Sequence, residues 1–153
     1  MDLSNINPFI ESFEAVIPQL GFSEIRRGDL SVTEQQLNFT GVMIVVGIVG
    51  TLRGNAVYCI ETDHAKAIAS VMMMGMPVDE LDEMAQSALS ELANMLTATA
   101  ATGFSELGLP IDITTPTLLH GENVSVKMSA KQAISIQLLA DGIPIAINLA
   151  FEG

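Results

Sequence analysis

Ser87, Glu91 and Asn94 lie at a spacing that could support chemistry, within the segment S-A-L-S-E-L-A-N at residues 87–94. Successive residues of an α-helix advance by roughly 100°, so the three fall within about 60° of one another on one face. Leu81, Ala85, Ala88, Leu89, Leu92 and Leu96 fall on the opposite side as an aliphatic stripe. Residues 79–102 thus read as an amphipathic helix displaying a hydroxyl, a carboxylate and a carboxamide in a row. Glu91 could act as a general base, but nothing in the sequence around an exposed helix face activates it for that work. Asparagine is a poor helix former because its amide competes for backbone hydrogen bonds, which makes Asn94 the odder member. On spacing alone Asn94 reads as a tolerated surface asparagine.

Other chemistries find little support. No serine–histidine–acid pattern, phosphate loop or dinucleotide glycine motif is present. His64 beside Asp63 opens a helix and His120 precedes Gly121 in a loop; both read as solvated or capping residues. Two histidines and one cysteine, widely spaced, argue against a metal site of the protein's own. A net charge of −12 with six basic residues, of which only Arg26 and Arg27 are adjacent, argues against nucleic acid. The run V-M-M-M-G-M at residues 71–76 reads as soft core filling at a helix end.

The elements that must position the row follow from composition and periodicity. Hydrophobic residues make up 49% of 153 and charged ones 16%, an apolar excess that suits buried strands and a subunit interface. The longest apolar run, residues 42–50, is too short for a bilayer, which takes about 20 residues. Asp2, Glu11 and Glu14, with no basic region or apolar signal core before them, point to the cytoplasm. Cys59 has no internal partner and sits in an apolar strand pattern, as a reduced packing residue would.

Asn5 or Asn7 is expected to cap a first helix with Pro8 in its first turn and Gly21 at its end. Strands are expected at 22–34, 41–52 and 55–61. Thr62 or Asp63 would cap a second helix at 65–74, and Asp79 and Asp82 would open the third in capping-box style. A loop after Gly103 leads to strands at 124–128, 133–139 and 143–151, the last two turned at Asp141-Gly142. The halves echo one another: G-F-S-E-I at 21–25 recurs as G-F-S-E-L at 103–107. The expectation is one α+β domain over residues 1–153, with a six-stranded, largely antiparallel sheet and two long helices on one face, related by a pseudo-two-fold duplication.

The segment S-x-x-x-E-x-x-N, continuing E-L-A-N-M-L-T-A, resembles the signature of the CheC/CheX/FliY chemotaxis phosphatases. The segment I-T-T-P-T-L-L-H-G at 113–121 resembles the loop that follows that helix in the CheX branch. The opening N-P-F-I-E-S-F at 7–13 is similar to CheX-like starts. The likeness covers nearly the whole chain.

The resemblance implies an enzyme that removes the phosphoryl group from the phospho-aspartate of a CheY-like response regulator. Glu91 would pair with the regulator's active-site lysine, Asn94 would hold a water in line with the acyl phosphate, and Ser87 would help pack or cap locally. It implies no cofactor of the protein's own, since Mg2+ belongs to the regulator, and it implies a homodimer. Aligning Glu11 with Glu91 sets Glu14 opposite Asn94, so one site is expected where CheC-like members have two. The alternative is a non-catalytic, CheC-like binding module that docks a regulator or a flagellar switch component. A small-molecule sensor using the cleft between the long helices is a third reading, for which no residue names a ligand.

Overall fold

Two strands are far longer than the rest and set the architecture: β1 (Ile25–Gly50) and β4 (Thr117–Ala140). In the computed structural model, which describes residues 3–152, they pair antiparallel over most of their length, from Ile25 opposite Ala140 to Val45 opposite Thr117. Asp2 lies outside the described residues. The register shifts at three places, between Arg27 and Leu30, Glu34 and Gln36, and Phe39 and Gly41. Irregularities of this kind bend a ribbon and increase its twist.

Two shorter strands complete the frame. β2 (Gly54–Ile60) pairs with the second half of β1, and β5 (Ile143–Phe151) pairs with both β2 and the second half of β4. Across the sheet the order is first half of β1, second half of β4, β5, β2, second half of β1, first half of β4. That order reads the same from either edge when β1 is exchanged with β4 and β2 with β5. A three-residue strand, β3 (Ile111–Ile113), pairs with the end of β1.

Among the described residues the sheet therefore has five strands and not the expected six. Residues 22–34 and 41–52 join into β1, and residues 124–128 and 133–139 join into β4, while β3 is an addition. The joining stretches alternate exposed and half-buried residues, and each is held extended by pairing with the other. No single segment carries that information.

Among the described residues three α-helices cover one face. α1 (Asn7–Val16) runs on through a 3-10 turn to Leu20, α2 (Thr62–Met72) follows β2, and α3 (Glu83–Glu106) is the longest, about 36 Å at 1.5 Å per residue. The expected pair of long helices is thus one long helix, one short one with a 3-10 extension, and α2 beside them. Val42, Ile44, Val46 and Ile48 meet the helices, with Tyr58, Ile136, Ile147 and Leu149 from neighbouring strands. Alternate residues point the other way, as the pleat requires. There Met43, Val57 and Cys59 form a second cluster with Met128, and Leu37, Phe39 and Val126 of the ribbon pack on it. The ribbon is pinned to the sheet by Ser129, whose N–H and hydroxyl donate to Asn55 Oδ1, both at 3.2 Å.

Local signals explain the ends. Gly21 closes the first helical unit at φ +109°, a conformation that a side chain would strain. Asp141 and Gly142 both have positive φ, +49° and +79°, as a tight hairpin turn demands. The Asp141 carboxylate also accepts the N–H groups of Ser23 and Glu24, tying that turn to the start of β1. Neither Asn5 nor Asn7 caps α1; a 3-10 turn from Leu3 runs into it with no side-chain cap bond. Thr62 and Asp63 lie inside α2, whose N-cap is Glu61, again without a side-chain bond. The second G-F-S-E is not a loop entry: α3 continues to Glu106, so it forms the helix's last turn. Of the methionine run, Met72 and Met73 pack on the core, but Met74 is 97% exposed and Met76 is exposed too. Among the described residues no helix is long and apolar enough to cross a membrane.

Candidate functional site

α3 begins at Asp82 and not at Asp79, because the Asp82 carboxylate accepts the Ala85 N–H at 2.9 Å and satisfies one of the open donors of the first turn. Gln86 adds a bond from its side-chain amide to the Leu81 carbonyl at 2.7 Å. Ala85, Leu89, Leu92 and Leu96 are buried against the sheet, while Ala88 is half-buried. Two deeper contacts fix the roll of the helix. Thr97 donates to the Ala93 carbonyl at 2.7 Å and meets the Tyr58 hydroxyl at 2.7 Å, joining α3 to β2 inside the core. Ser12 of α1 donates to the Leu96 carbonyl. The edge-to-face rings of Phe9 and Phe104, 6.0 Å apart, hold α1 against the helix's far end.

With that face buried, the opposite one must look outward. Ser87 and Glu91 are exposed and Asn94 is half-buried. All three line one wall of a groove of about 710 Å³, with Glu83 and Ser90 beside them. Among the described residues the side chains of Ser87, Glu91 and Asn94 have no hydrogen-bond partner. An unpaired carboxylate and an unpaired carboxamide, one helical turn apart on a rigid element, are free to engage a second molecule.

The other wall is Ile113 at the end of β3 and the connection from β3 to β4: Thr114, Thr115 and Pro116. The two segments singled out in the sequence, 87–94 and 113–121, therefore meet across one groove. Gly47 of β1 shapes this wall. Its N–H donates to Thr114 Oγ1 at 2.8 Å, and its carbonyl accepts the Thr114 N–H at 3.0 Å. Sequence reasoning flagged the loop only through the resemblance and assigned no role to Thr114 or Thr115; the contact with Gly47 spans 67 residues and leaves no local pattern.

The other candidates stand apart from the groove. Glu11 is exposed on α1, and Glu14 is engaged by Arg27 Nη2 at 2.9 Å. His64 lies on α2, 3.5 Å from Glu61. Cys59 is buried on the ribbon-covered face, where burial pushes its thiol up to about 12 against a smaller pull from the Asn148 side chain. Tyr58 is likewise raised, by burial first, with the Thr97 bond opposing.

The family model described as chemotaxis phosphatase CheX matches residues 42–139, a span that holds α3 and both walls of the groove. The chain belongs to the CheX chemotaxis phosphatase family. It is 34% identical, over 128 residues covering 83% of this chain and 82% of the relative, to the CheY-P phosphatase CheX of Thermotoga maritima. A CheC-like superfamily protein from Shewanella sp. PV-4 matches with TM-score 0.86 and 25% identity over the whole of both chains. A chain of the CheX-CheY-BeF3-Mg2+ complex from Borrelia burgdorferi matches at TM-score 0.84 and 23% identity, covering 99% of this chain and 100% of that one. This CheX-family fold is α+β, with an antiparallel sheet and its helices on one face.

Proposed function

We propose that the protein hydrolyses the aspartyl phosphate of a CheY-like response regulator, with Glu91 docking the regulator and Asn94 orienting the attacking water. The observation that carries this reading is the unpaired pair itself, a carboxylate and a carboxamide one turn apart on the wall of an open groove. Support also comes from the relative named as a CheY-P phosphatase and from the fold it shares with a chain of a CheX–CheY complex.

The chemistry suits such sparse equipment. Water attacks phosphorus, the bond between phosphorus and the aspartyl oxygen breaks, and free phosphate and the carboxylate result. Phosphoryl transfer asks chiefly for positioning and charge stabilisation, so an amide that fixes a water in line supplies what is missing. Glu91, pairing with a lysine of the regulator's active site, sets the register in which Asn94 meets the phosphoryl group. Ser87 extends the contact one turn further. The metal ion belongs to the regulator, and the protein needs no cofactor of its own. One site operates, because Glu14, at the position matching Asn94, is a carboxylate held by Arg27.

The same reading takes residues 1–153 as one cytoplasmic domain whose palindromic sheet order records a duplication, and takes the protein as a homodimer. Leu30 and Val32, 51% and 55% exposed on the outer half of β1, supply apolar surface for the second copy. The test is phosphate release from a panel of phosphorylated receiver domains with and without the protein. Acceleration for at least one supports the reading; capture of a receiver domain with no acceleration selects the binding module instead.

A further inference from the structure

The wall opposite Asn94 is built with more care than a connecting loop needs. β1 pairs with β4 up to Val45 and with β3 from Ile48 onward, so Gly47 falls in the gap between two partner strands. Thr114 fills that gap alone. Its N–H takes the Gly47 carbonyl, as a ladder residue would, and its hydroxyl takes the Gly47 N–H in place of a backbone carbonyl. The hydroxyl oxygen in turn donates to the Thr115 carbonyl oxygen at 3.4 Å, so one side chain ties both the strand and the next residue of the loop. The approach is close. A Cβ at position 47 would stand 2.9 Å from Thr114 Cγ2 and 3.0 Å from Oγ1, which explains a glycine in the middle of a buried strand.

The substitution of a side-chain acceptor for a backbone one has a geometric consequence. It releases the Thr114 carbonyl side of the chain from the ladder, and Thr115 and Pro116 turn out to face α3 across the groove. We infer that Thr114 is a positioning residue for the phosphatase site: its hydroxyl, clasped to Gly47, fixes the Thr115–Pro116 wall that holds the partner's phosphorylated loop against Asn94. This rests on the function proposed above and adds the second half of the cradle to it. Thr114 touches no reacting atom; it acts through Thr115 and Pro116.

The experiment measures steady-state kcat and KM for phosphate release from a receiver domain phosphorylated by a small phosphodonor, using Thr114→Val, Thr114→Ser and Gly47→Ala. Valine keeps the shape and removes the hydroxyl; kcat falls about tenfold with KM changed by less than about twofold, the loss expected when a bound geometry slips by a fraction of an ångström. Serine keeps the hydroxyl and restores at least about half of kcat, since alcohol groups of either residue serve as acceptors. Gly47→Ala leaves Thr114 intact but pushes it outward, and lowers kcat as valine does; it keeps the proposal testable should the valine variant fail to fold. A purely structural role would lower thermal stability in the valine variant and leave kcat at 25 °C unchanged. A valine variant as fast as the parent, or a serine variant as slow as valine, overturns the positioning role alone. A parent that accelerates no receiver domain overturns the functional reading together with it.

Discussion

Ser12, buried on α1, donates its hydroxyl to the carbonyl of Leu96, two residues beyond Asn94 on α3. The bond crosses 84 residues of sequence and clamps the helix at the level where its other face carries Glu91 and Asn94. The polar row thus stands on a rod gripped from behind by α1, and from below by Tyr58 through Thr97.

Ser12→Ala tests that grip. The Leu96 carbonyl keeps its helical partner, so the loss is one net hydrogen bond, about 0.5–1.5 kcal/mol. For a domain of this size that lowers Tm by about 2–4 °C per kcal/mol. Calorimetry of the purified variant checks it, and an unchanged Tm would show the contact to be idle.

The Tyr58–Thr97 contact predicts an asymmetry. Tyr58→Phe removes a donor from a threonine that remains satisfied by Ala93, and costs about 1 kcal/mol. Thr97→Val strands the Tyr58 hydroxyl in the core and costs about 1–3 kcal/mol. Urea denaturation of both should place the valine variant lower; the reverse order would mean that the hydroxyl finds another partner.

The buried thiol and phenol predict alkaline sensitivity. Burial raises Cys59 from about 9 to about 12 and raises Tyr58 as well, so both stay neutral in the fold at pH values where the unfolded chain ionises them. Stability from this source is fully present below about pH 9 and is lost as pH rises through about 12. Urea midpoints should fall between pH 8 and pH 11, and less steeply in Cys59→Ala. In the native protein at pH 8 the thiol should react at least about 100-fold more slowly than in the denatured chain, because the thiolate is the nucleophile. A thiol reagent followed by absorbance settles this, and equal rates would contradict the burial.

How much of this could be read beforehand depends on whether a feature is local. The face of α3 was legible because helical spacing is a property of adjacent residues: Leu89, Leu92 and Leu96 turned inward and Glu91 outward as their positions require. The Asp141-Gly142 turn was legible for the same reason. The fusion of strands through residues 34–41 and 121–132 was not, since each is extended only because the other lies alongside it. Nor was the end of α3, where the second G-F-S-E stays helical although the first leads into a strand. Tertiary contacts decide between them: the ring of Phe104 packs on Phe9 and Phe151, which fixes that turn as helix. The groove itself joins residues 87–94 of α3 to residues 113–116 beyond that helix's end, and the Gly47–Thr114 clasp has no signal in either segment.

Glu91→Ala should weaken docking and rate together. Removing the carboxylate that sets the register raises KM and lowers kcat, and an exposed pair of this kind contributes modestly to affinity, so a KM change of about 2–10-fold is expected. Steady-state kinetics at several ionic strengths check it: the parent's KM should rise with salt and the variant's should not. Identical salt profiles would remove Glu91 from the docking role.

Phosphate release by Asn94→Ala against the parent, on the receiver domain that the parent serves best, is the most direct test. The side chain faces a groove and has no hydrogen-bond partner among the described residues, so the variant should keep the parent's circular dichroism and Tm. Its kcat should fall by about 100-fold or more, the range for losing a preorganised group aimed at the transition state. A folded Asn94→Ala variant that releases phosphate as fast as the parent would contradict the account at its centre.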